Sequence, residues 1–324
     1  MRMVNRSVRE RSERSIICQR TKRTVYNPIF MTSEELLQKV RKIEIKTHGL
    51  SRNIFAGEYH SQFKGRGMAF SEVREYQPGD DVRSIDWNVT ARMNRPYIKV
   101  YEEERELTVM LLVDVSGSRN FGTVSQMKRD TMAEVAATLA FSTIENNDKV
   151  GVIFFSDRIE KFIPPKKGKS HVLHIIRELL SFEPEHAGTD VNAALEFLTN
   201  AQKRRCTAFL ISDLITPPQP SPQGRGHVDP VVIASRKHDL SAIQIYDRRD
   251  AELPDVGLLK VKDPETGARV WTDTSEASVR NAYAAAWRNR QNALEEIYTK
   301  TGMNHVEIRT DEDYVKKLMM LFHN

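Results

Sequence analysis

The stretch that most constrains this chain runs from Leu107 to Ser118. It reads Leu-Thr-Val-Met-Leu-Leu-Val and then Asp-Val-Ser-Gly-Ser. The apolar and β-branched run has strand length and no polar alternation, so it forms a strand buried on both faces. It stops abruptly at an acid, two hydroxyls and a glycine. In an open α/β sheet, ligands bind in the crevice beyond the carboxyl ends of the strands. Asp114, Ser116 and Ser118 can turn their oxygens toward one point there, while Gly117 lets the backbone fold tightly. A carboxylate with two hydroxyls is a hard oxygen set of the kind Mg²⁺ takes. The same residues also suit a polar turn in which a Ser or Asp caps the next helix.

A second set of oxygens lies downstream, in Ala187-Gly188-Thr189-Asp190 and in Phe209-Leu-Ile-Ser-Asp213, another buried strand that ends in an acid. Two strand-terminal aspartates and a loop threonine come in an order that a doubly wound sheet can bring together. With these residues the sequence resembles the von Willebrand factor A domain and its metal-ion-dependent adhesion site. The five positions of that site match Asp114, Ser116, Ser118, Thr189 and Asp213. The resemblance implies a bound Mg²⁺ or Mn²⁺, with a carboxylate from a partner protein completing the metal's shell.

The 324 residues have a net charge of +5 and 40% apolar residues, enough for a core. The positive charge does not belong to the body of the chain. Residues 1–31 carry eight Arg or Lys and two Glu, a net +6, which leaves the remainder at −1. A face that tracks phosphates carries its basic residues on folded structure, so nucleic-acid binding is not expected. Residues 1–31 show no amphipathic period and read as a basic, disordered extension. No stretch has the apolar length of a membrane span, and the N-terminus lacks the apolar core of a secretory signal. Two cysteines, Cys18 and Cys206, make no disulfide framework, and the expected compartment is a reducing cytoplasm.

Between the extension and the central strand, Thr32 or Ser33 caps an amphipathic helix through Ile43. A polar stretch, Gly49 to Met68, follows. Tyr97 to Glu104 alternates apolar and charged residues as a half-exposed strand, and Pro78-Gly79 marks a tight turn. Tyr76, Pro78-Gly79-Asp80-Asp81, Arg83, Ile85-Asp86-Trp87 and Ala91-Arg92, lying just before that strand, resemble the bacterial family called domain of unknown function 58. The resemblance covers roughly Thr32 onward. It implies a partner, because members of the family commonly accompany MoxR-type AAA+ ATPases as adaptors. Many relatives begin with two membrane helices, which this chain lacks, so it resembles a soluble subtype. Asp80, Asp81 and Asp86 read as turn caps paired with Arg83 and Arg92, and Trp87 as packing onto the main domain.

The rest of the chain alternates strands and helices. Helices are expected at Met127–Asn146, after Lys166-Lys-Gly-Lys-Ser170, at Ser275–Thr301 with Gly302 as C-cap, and at Tyr314–Phe322. Strands are expected at Val150–Phe155, Thr207–Ser212, Leu240–Asp247 and His305–Arg309. Ile159–Pro164 reads as a hairpin-like return, and Leu258–Asp263 with Ala268–Thr272 as an antiparallel hairpin. Pro217 to Pro230 is a surface loop, and Val231 to His238 is helical or mixed. The predicted fold is α/β: a doubly wound, mostly parallel sheet with helices on both faces, von Willebrand factor A-like, preceded by a small helix/strand segment. The expected divisions are 1–31, 32–106 and 107–324.

Two tempting motifs fail. Gly168-Lys169-Ser170 precedes a helix, but the first glycine of a P-loop falls on Ile163, and two prolines follow. His171 and His174 share a helix face, yet zinc needs at least three protein ligands, and they read as exposed helix histidines. The expected function is therefore a non-enzymatic, metal-dependent protein-binding module with no catalytic residues. The alternative is a Mg²⁺-dependent phosphatase of the haloacid dehalogenase type using Asp114. That chemistry wants an acid two residues on, where this chain has Ser116, and a catalytic lysine, which the sequence does not reveal.

Overall fold

A computed structural model describes residues 17–18, 38, 40–41, 69–102, 107–122, 127–215, 229–262 and 267–323. Its strands are β1 (Ile17–Cys18), β2 (Ala69–Glu75), β3 (Tyr97–Glu102), β4 (Thr108–Asp114), β5 (Lys149–Phe155), β6 (Ile159–Lys166), β7 (Thr207–Ser212), β8 (Asp239–Tyr246), β9 (Leu258–Lys262), β10 (Arg269–Asp273) and β11 (Asn304–Arg309). The helices are α1 (Trp87–Met93), α2 (Lys128–Glu145), α3 (Lys169–Ser181), α4 (Val191–Ala201), α5 (Pro230–Lys237), α6 (Arg248–Ala251), α7 (Ala277–Thr301) and α8 (Tyr314–His323).

Six strands form the main sheet in the order β11-β8-β7-β4-β5-β6. All neighbours are parallel except β6, which returns antiparallel along β5. The central position of β4 follows from its sequence: from Val109 to Asp114 every residue is buried. Alternate residues serve opposite faces, as a pleated strand requires. Leu111 and Val113 pack with α2, α3 and α8 in one apolar cluster. Met110 and Leu112 pack with α4, α5 and α7 in another. Two cores on one sheet are the doubly wound arrangement expected from the strand and helix alternation.

The connections carry their own causes. Asp190, Asp229 and Asp247 accept backbone N–H bonds at the starts of α4, α5 and α6. Gly302 ends α7 with a φ of 65°, a left-handed cap that an L side chain resists. Gly151 allows a close approach: a Cβ there would stand 2.8 Å from Pro165 N and 2.9 Å from Ile163 O.

Several expectations need correction. Trp87 does not pack onto the main domain; it opens α1 and is 68% exposed. Asp80 pairs with Arg74 at 2.7 Å, and Asp86 with Lys99 at 3.4 Å, rather than with Arg83 or Arg92. Their capping roles hold: Asp81 caps the turn Val82–Ser84, and Asp86 caps α1. The pairing changes because β2 and β3 lie side by side and bring Arg74 and Lys99 to these turns. Of residues 1–31, only Ile17 and Cys18 are described, and they pair with β9. Of the helix expected from Thr32, Gln38, Val40 and Arg41 are described and helical, and Val40 is buried in the first cluster. The stretch Gly49–Met68 and most of the loop after Pro217 lie outside the described residues.

Candidate functional site

The carboxyl edge of β4 is where the oxygens converge. Asp114 is the last residue of β4 and is 1% exposed. Its Oδ1 accepts the Ser116 N–H at 2.9 Å, folding the chain back on itself, and its Oδ2 accepts the Ser212 hydroxyl at 2.5 Å. Ser116 then leads a single turn of 3₁₀ helix, Gly117–Asn120, which lays the Ser118 side chain beside it. The two serine oxygens stand 3.0 Å apart, and both residues are buried.

Thr189 is brought to the same edge by the loop ahead of α4. Gly117 N donates to Ala187 O at 3.0 Å on one side of it, and Asp190 N donates to Ser156 O at 2.7 Å on the other. Glu160 holds the start of this loop, accepting from Glu185 N, His186 N and the Ser156 hydroxyl. Gly188 is pressed against Asp157, whose Cβ would lie 3.3 Å from an added Cβ. Asp213 follows β7 directly and is 1% exposed. Its carbonyl accepts from Gln244 Nε2 at 3.1 Å, and the next residue, Leu214, takes a left-handed φ of 48°. The fold thus carries all five candidate residues to one edge of the sheet.

Their electrostatics are unusual for carboxylates. Burial, and then the charge of Asp213, push Asp114 up to about 6. Asp213 Oδ2 accepts from Lys128 Nζ at 2.8 Å, and the same ammonium lies 3.1 Å from Asp250 Oδ2. Lys128 is fully buried. Burial pulls its ammonium down, but the charges of Asp213 and Asp250 more than reverse this and raise it above the usual lysine range. Burial raises Asp250 despite the ammonium beside it.

The donor set fits a small hard cation. Adjacent ligands of an octahedral Mg²⁺, each about 2.1 Å from the ion, lie about 3.0 Å apart. The two serine hydroxyls, which share a hydrogen bond here, have that separation. Two buried carboxylates, Asp114 and Asp213, belong to the same edge. The sequence did not reveal Lys128, Ser212 or Asp250. One signal was available for Lys128: a lysine opening a helix works against the helix dipole and needs a reason. Asp247 was legible as an acid ending β8 on the same edge; it caps α6 in a reciprocal pair with Asp250.

The rejected motifs sit elsewhere. Lys166 pairs with Val150 at the start of β5, so Gly168 and α3 begin at the opposite end of the sheet from Asp114. His171 is not exposed as expected; it is half-buried, and its Nε2 lies 2.9 Å from Val150 O. Among the described residues, no three His, Cys, Asp or Glu side chains gather as a metal-binding group.

Comparison with known proteins shows the family of the chain. An uncharacterised protein of Mycobacterium bovis is 29% identical over 287 residues, covering 88% of each chain. The conserved hypothetical protein BatB from Bacteroides thetaiotaomicron has a crystal structure that is similar at 17% identity and a TM-score of 0.42, covering 67% of this chain and 97% of that one. The VWA domain of SpRpn10 is similar at 11% identity and a TM-score of 0.35, covering 66% and 94%. The family model described as DUF58, protein of unknown function, matches residues 72–293, from within β2 into the last third of α7 and across the whole candidate site; the chain belongs to the DUF58 family.

Proposed function

We propose that this protein is a metal-dependent protein-binding module, in which Asp114, Ser116, Ser118, Thr189 and Asp213 hold a divalent cation that docks a carboxylate of a partner. The observation that carries the reading is the pair of buried serine oxygens 3.0 Å apart, with two buried aspartates at the same edge. Mg²⁺ or Mn²⁺ prefers six oxygens and retains exchangeable waters, so a site with few protein donors leaves a position for an incoming Asp or Glu. The partner we propose is a MoxR-type AAA+ ATPase, for which the protein acts as an adaptor. Its setting is the cytoplasm, consistent with the reduced, buried Cys206. No helix among the described residues is long and apolar enough to cross a membrane.

The alternative, a Mg²⁺-dependent hydrolase with Asp114 as nucleophile, gains one feature from the fold, a buried lysine. Lys128, however, is engaged by Asp213 and Asp250. Ser116 occupies the place where an acid would serve the leaving group, and a hydroxyl does no general acid work near neutral pH.

Calorimetry tests the reading. Asp114→Ala and Asp213→Ala are expected to lose Mg²⁺ and Mn²⁺ binding while circular dichroism shows the fold retained. Loss of a desolvated contact at an interface costs more than about 2 kcal/mol, or ~30-fold in affinity. Asp114→Ala, or chelator added to the wild type, is expected to weaken binding of the ATPase by at least that factor. Asp86→Ala, which removes the α1 cap and the pairing with Lys99 away from the candidate site, is expected to lower the melting temperature and leave metal binding intact. Unchanged ATPase binding in both chelator and Asp114→Ala removes the carboxylate-to-metal mode. Phosphoester hydrolysis that depends on Asp114 replaces it with the hydrolase.

A further inference from the structure

Lys128 is in an expensive place. It is the first residue of the 18-residue α2, where the helix dipole disfavours a cation. Its side chain is completely removed from water, a large cost for an ammonium unless it is paired. The backbone N–H of Lys128 donates to Phe121 O at 2.8 Å, and its Nζ stands 5.7 Å from the centre of the Phe121 ring. What holds the charge there is a bridge between two carboxylates from different strand ends. One is Asp213 after β7, 2.8 Å away; the other is Asp250 in α6 after β8, 3.1 Å away. Asp250 Oδ2 also accepts the Asp247 N–H at 2.8 Å, an acceptor role that suits the ionised form. The neighbouring Arg119 is held by a bond from its guanidinium to Phe182 O.

The charges of this connected group have a definite sum. Among the buried ionisable side chains at this edge, Asp114, Asp213, Asp247 and Asp250 contribute four negative charges and Lys128 and Arg119 two positive charges, leaving two negative charges. One divalent ion neutralises that remainder. Without Lys128 the same carboxylates would be buried around a larger uncompensated charge whenever the ion is away.

We propose that Lys128 is a built-in counter-cation that sets the charge of the metal site: it offsets one of the two charges of the Asp213–Asp250 pair, so that the site presents the net −2 that a single divalent ion balances. This rests on the metal-site reading above and assigns positioning roles to two residues outside the five-residue set. Lys128 orients Asp213 and shares its charge, so an ion held there keeps more of its own positive character for a partner carboxylate. Asp250 in turn keeps Lys128 charged and in place.

Charge-changing variants read this directly, by titrating Mn²⁺ into the full chain in a calorimeter and melting each variant with and without the ion. Asp250→Asn leaves net −1 at the site, with Lys128 pulling on Asp213 alone. It is expected to weaken Mn²⁺ binding by about tenfold or more, although Asp250 is not one of the five candidate ligands. Adding Lys128→Met to Asp250→Asn removes the excess cation, returns the site to −2 and is expected to restore affinity to within about threefold of wild type. Lys128→Met alone is expected to melt well below the wild type without metal and to recover much of the difference when Mn²⁺ is added. Restoration by the second substitution is what a purely structural role would not produce. Wild-type binding with no change in Asp250→Asn, or no restoration in the double variant, overturns the charge-setting role. Absence of Mn²⁺ binding in the wild type overturns the metal site itself.

Discussion

Two groups of buried titratable side chains among the described residues sit at opposite ends of one sheet. At the carboxyl edge, Lys128 bridges Asp213 and Asp250, and Asp114 accepts hydrogen bonds from Ser116 and Ser212. At the amino edge, just before β7 and β8, Cys206 and His238 lie 3.2 Å apart, Sγ to Nδ1. A Cys–His contact invites a catalytic reading, but the environment pushes both groups toward neutrality. Burial, and then Asp239, raise the thiol to about 12; burial, and then Lys237, lower the imidazole to about 4. No thiolate forms near neutral pH, so the pair is structural. Among the described residues, Nε2 of His238 has no hydrogen-bond partner. Its ordinary pKa is 6.5, so between pH 6.5 and about 4 the unfolded chain takes up a proton that the folded chain refuses. The contribution of neutral His238 is therefore complete above the ordinary value and is lost as pH falls toward the folded one. Denaturant melts at stepped pH are expected to show the stability gap between the wild type and His238→Gln shrinking from pH 7 to pH 4. A gap independent of pH would mean that the imidazole is solvated.

Among the elements, β5 and β6 show most plainly how packing overrides a simple pattern. The pairing slips between Val150 and Val152, and Gly151 sits at the slip with Met110 Sδ 2.9 Å from the position of a Cβ. Two of the three nearest atoms are backbone, which cannot swing aside. Gly151→Ala is expected to cost about 1–3 kcal/mol, the usual range for overpacking, seen as a lower denaturant midpoint with an unchanged slope. The long helix α7 shows the opposite case. Only Leu294 and Tyr298 along its 25 residues are buried, both near its carboxyl end. Its earlier turns are half-buried at best: the Tyr283 hydroxyl donates to Arg249 O and the Trp287 ring lies against Tyr246, while in the preceding β9–β10 hairpin Leu258 and Trp271 are 65% and 59% exposed. A helix with two fully buried residues and ended by Gly302 gains its stability from local propensity as well as from packing.

For the whole molecule, the question is what the sheet requires from the rest of the chain. The two apolar clusters on either face are built from residues after 107, joined by Val40 on the α2 side. The pairing of Ile17 and Cys18 with β9 involves two residues only. A chain starting at Met31 is therefore expected to melt within about 5 °C of the full chain, since about 1 kcal/mol shifts a domain of this size by roughly 2–4 °C. It is also expected to bind Mn²⁺ with unchanged affinity. Differential scanning calorimetry and titration check both; a much larger drop would show that the basic segment docks on the body.

The amino-acid sequence by itself determined the central sheet and the five residues at its edge. Unbroken apolar runs such as Leu107–Val113 and Thr207–Ser212 have one stable placement, covered on both faces, and each ends in the acid that marks the carboxyl edge. Thr189 was legible because a short motif at that spacing matches a known pattern. Local rules also sufficed for the caps at Asp86 and Gly302, where the deciding contacts lie within a few residues. Tertiary structure alone decided which charges meet. Lys128 stands 85 residues from Asp213 in the chain, and Ser212 stands 98 from Asp114. Arg74 and Lys99 claimed Asp80 and Asp86 because two strands paired. Burial is a property of the assembled layers, and it is burial that makes a lysine between two aspartates a fixed part of the site rather than a solvated surface charge.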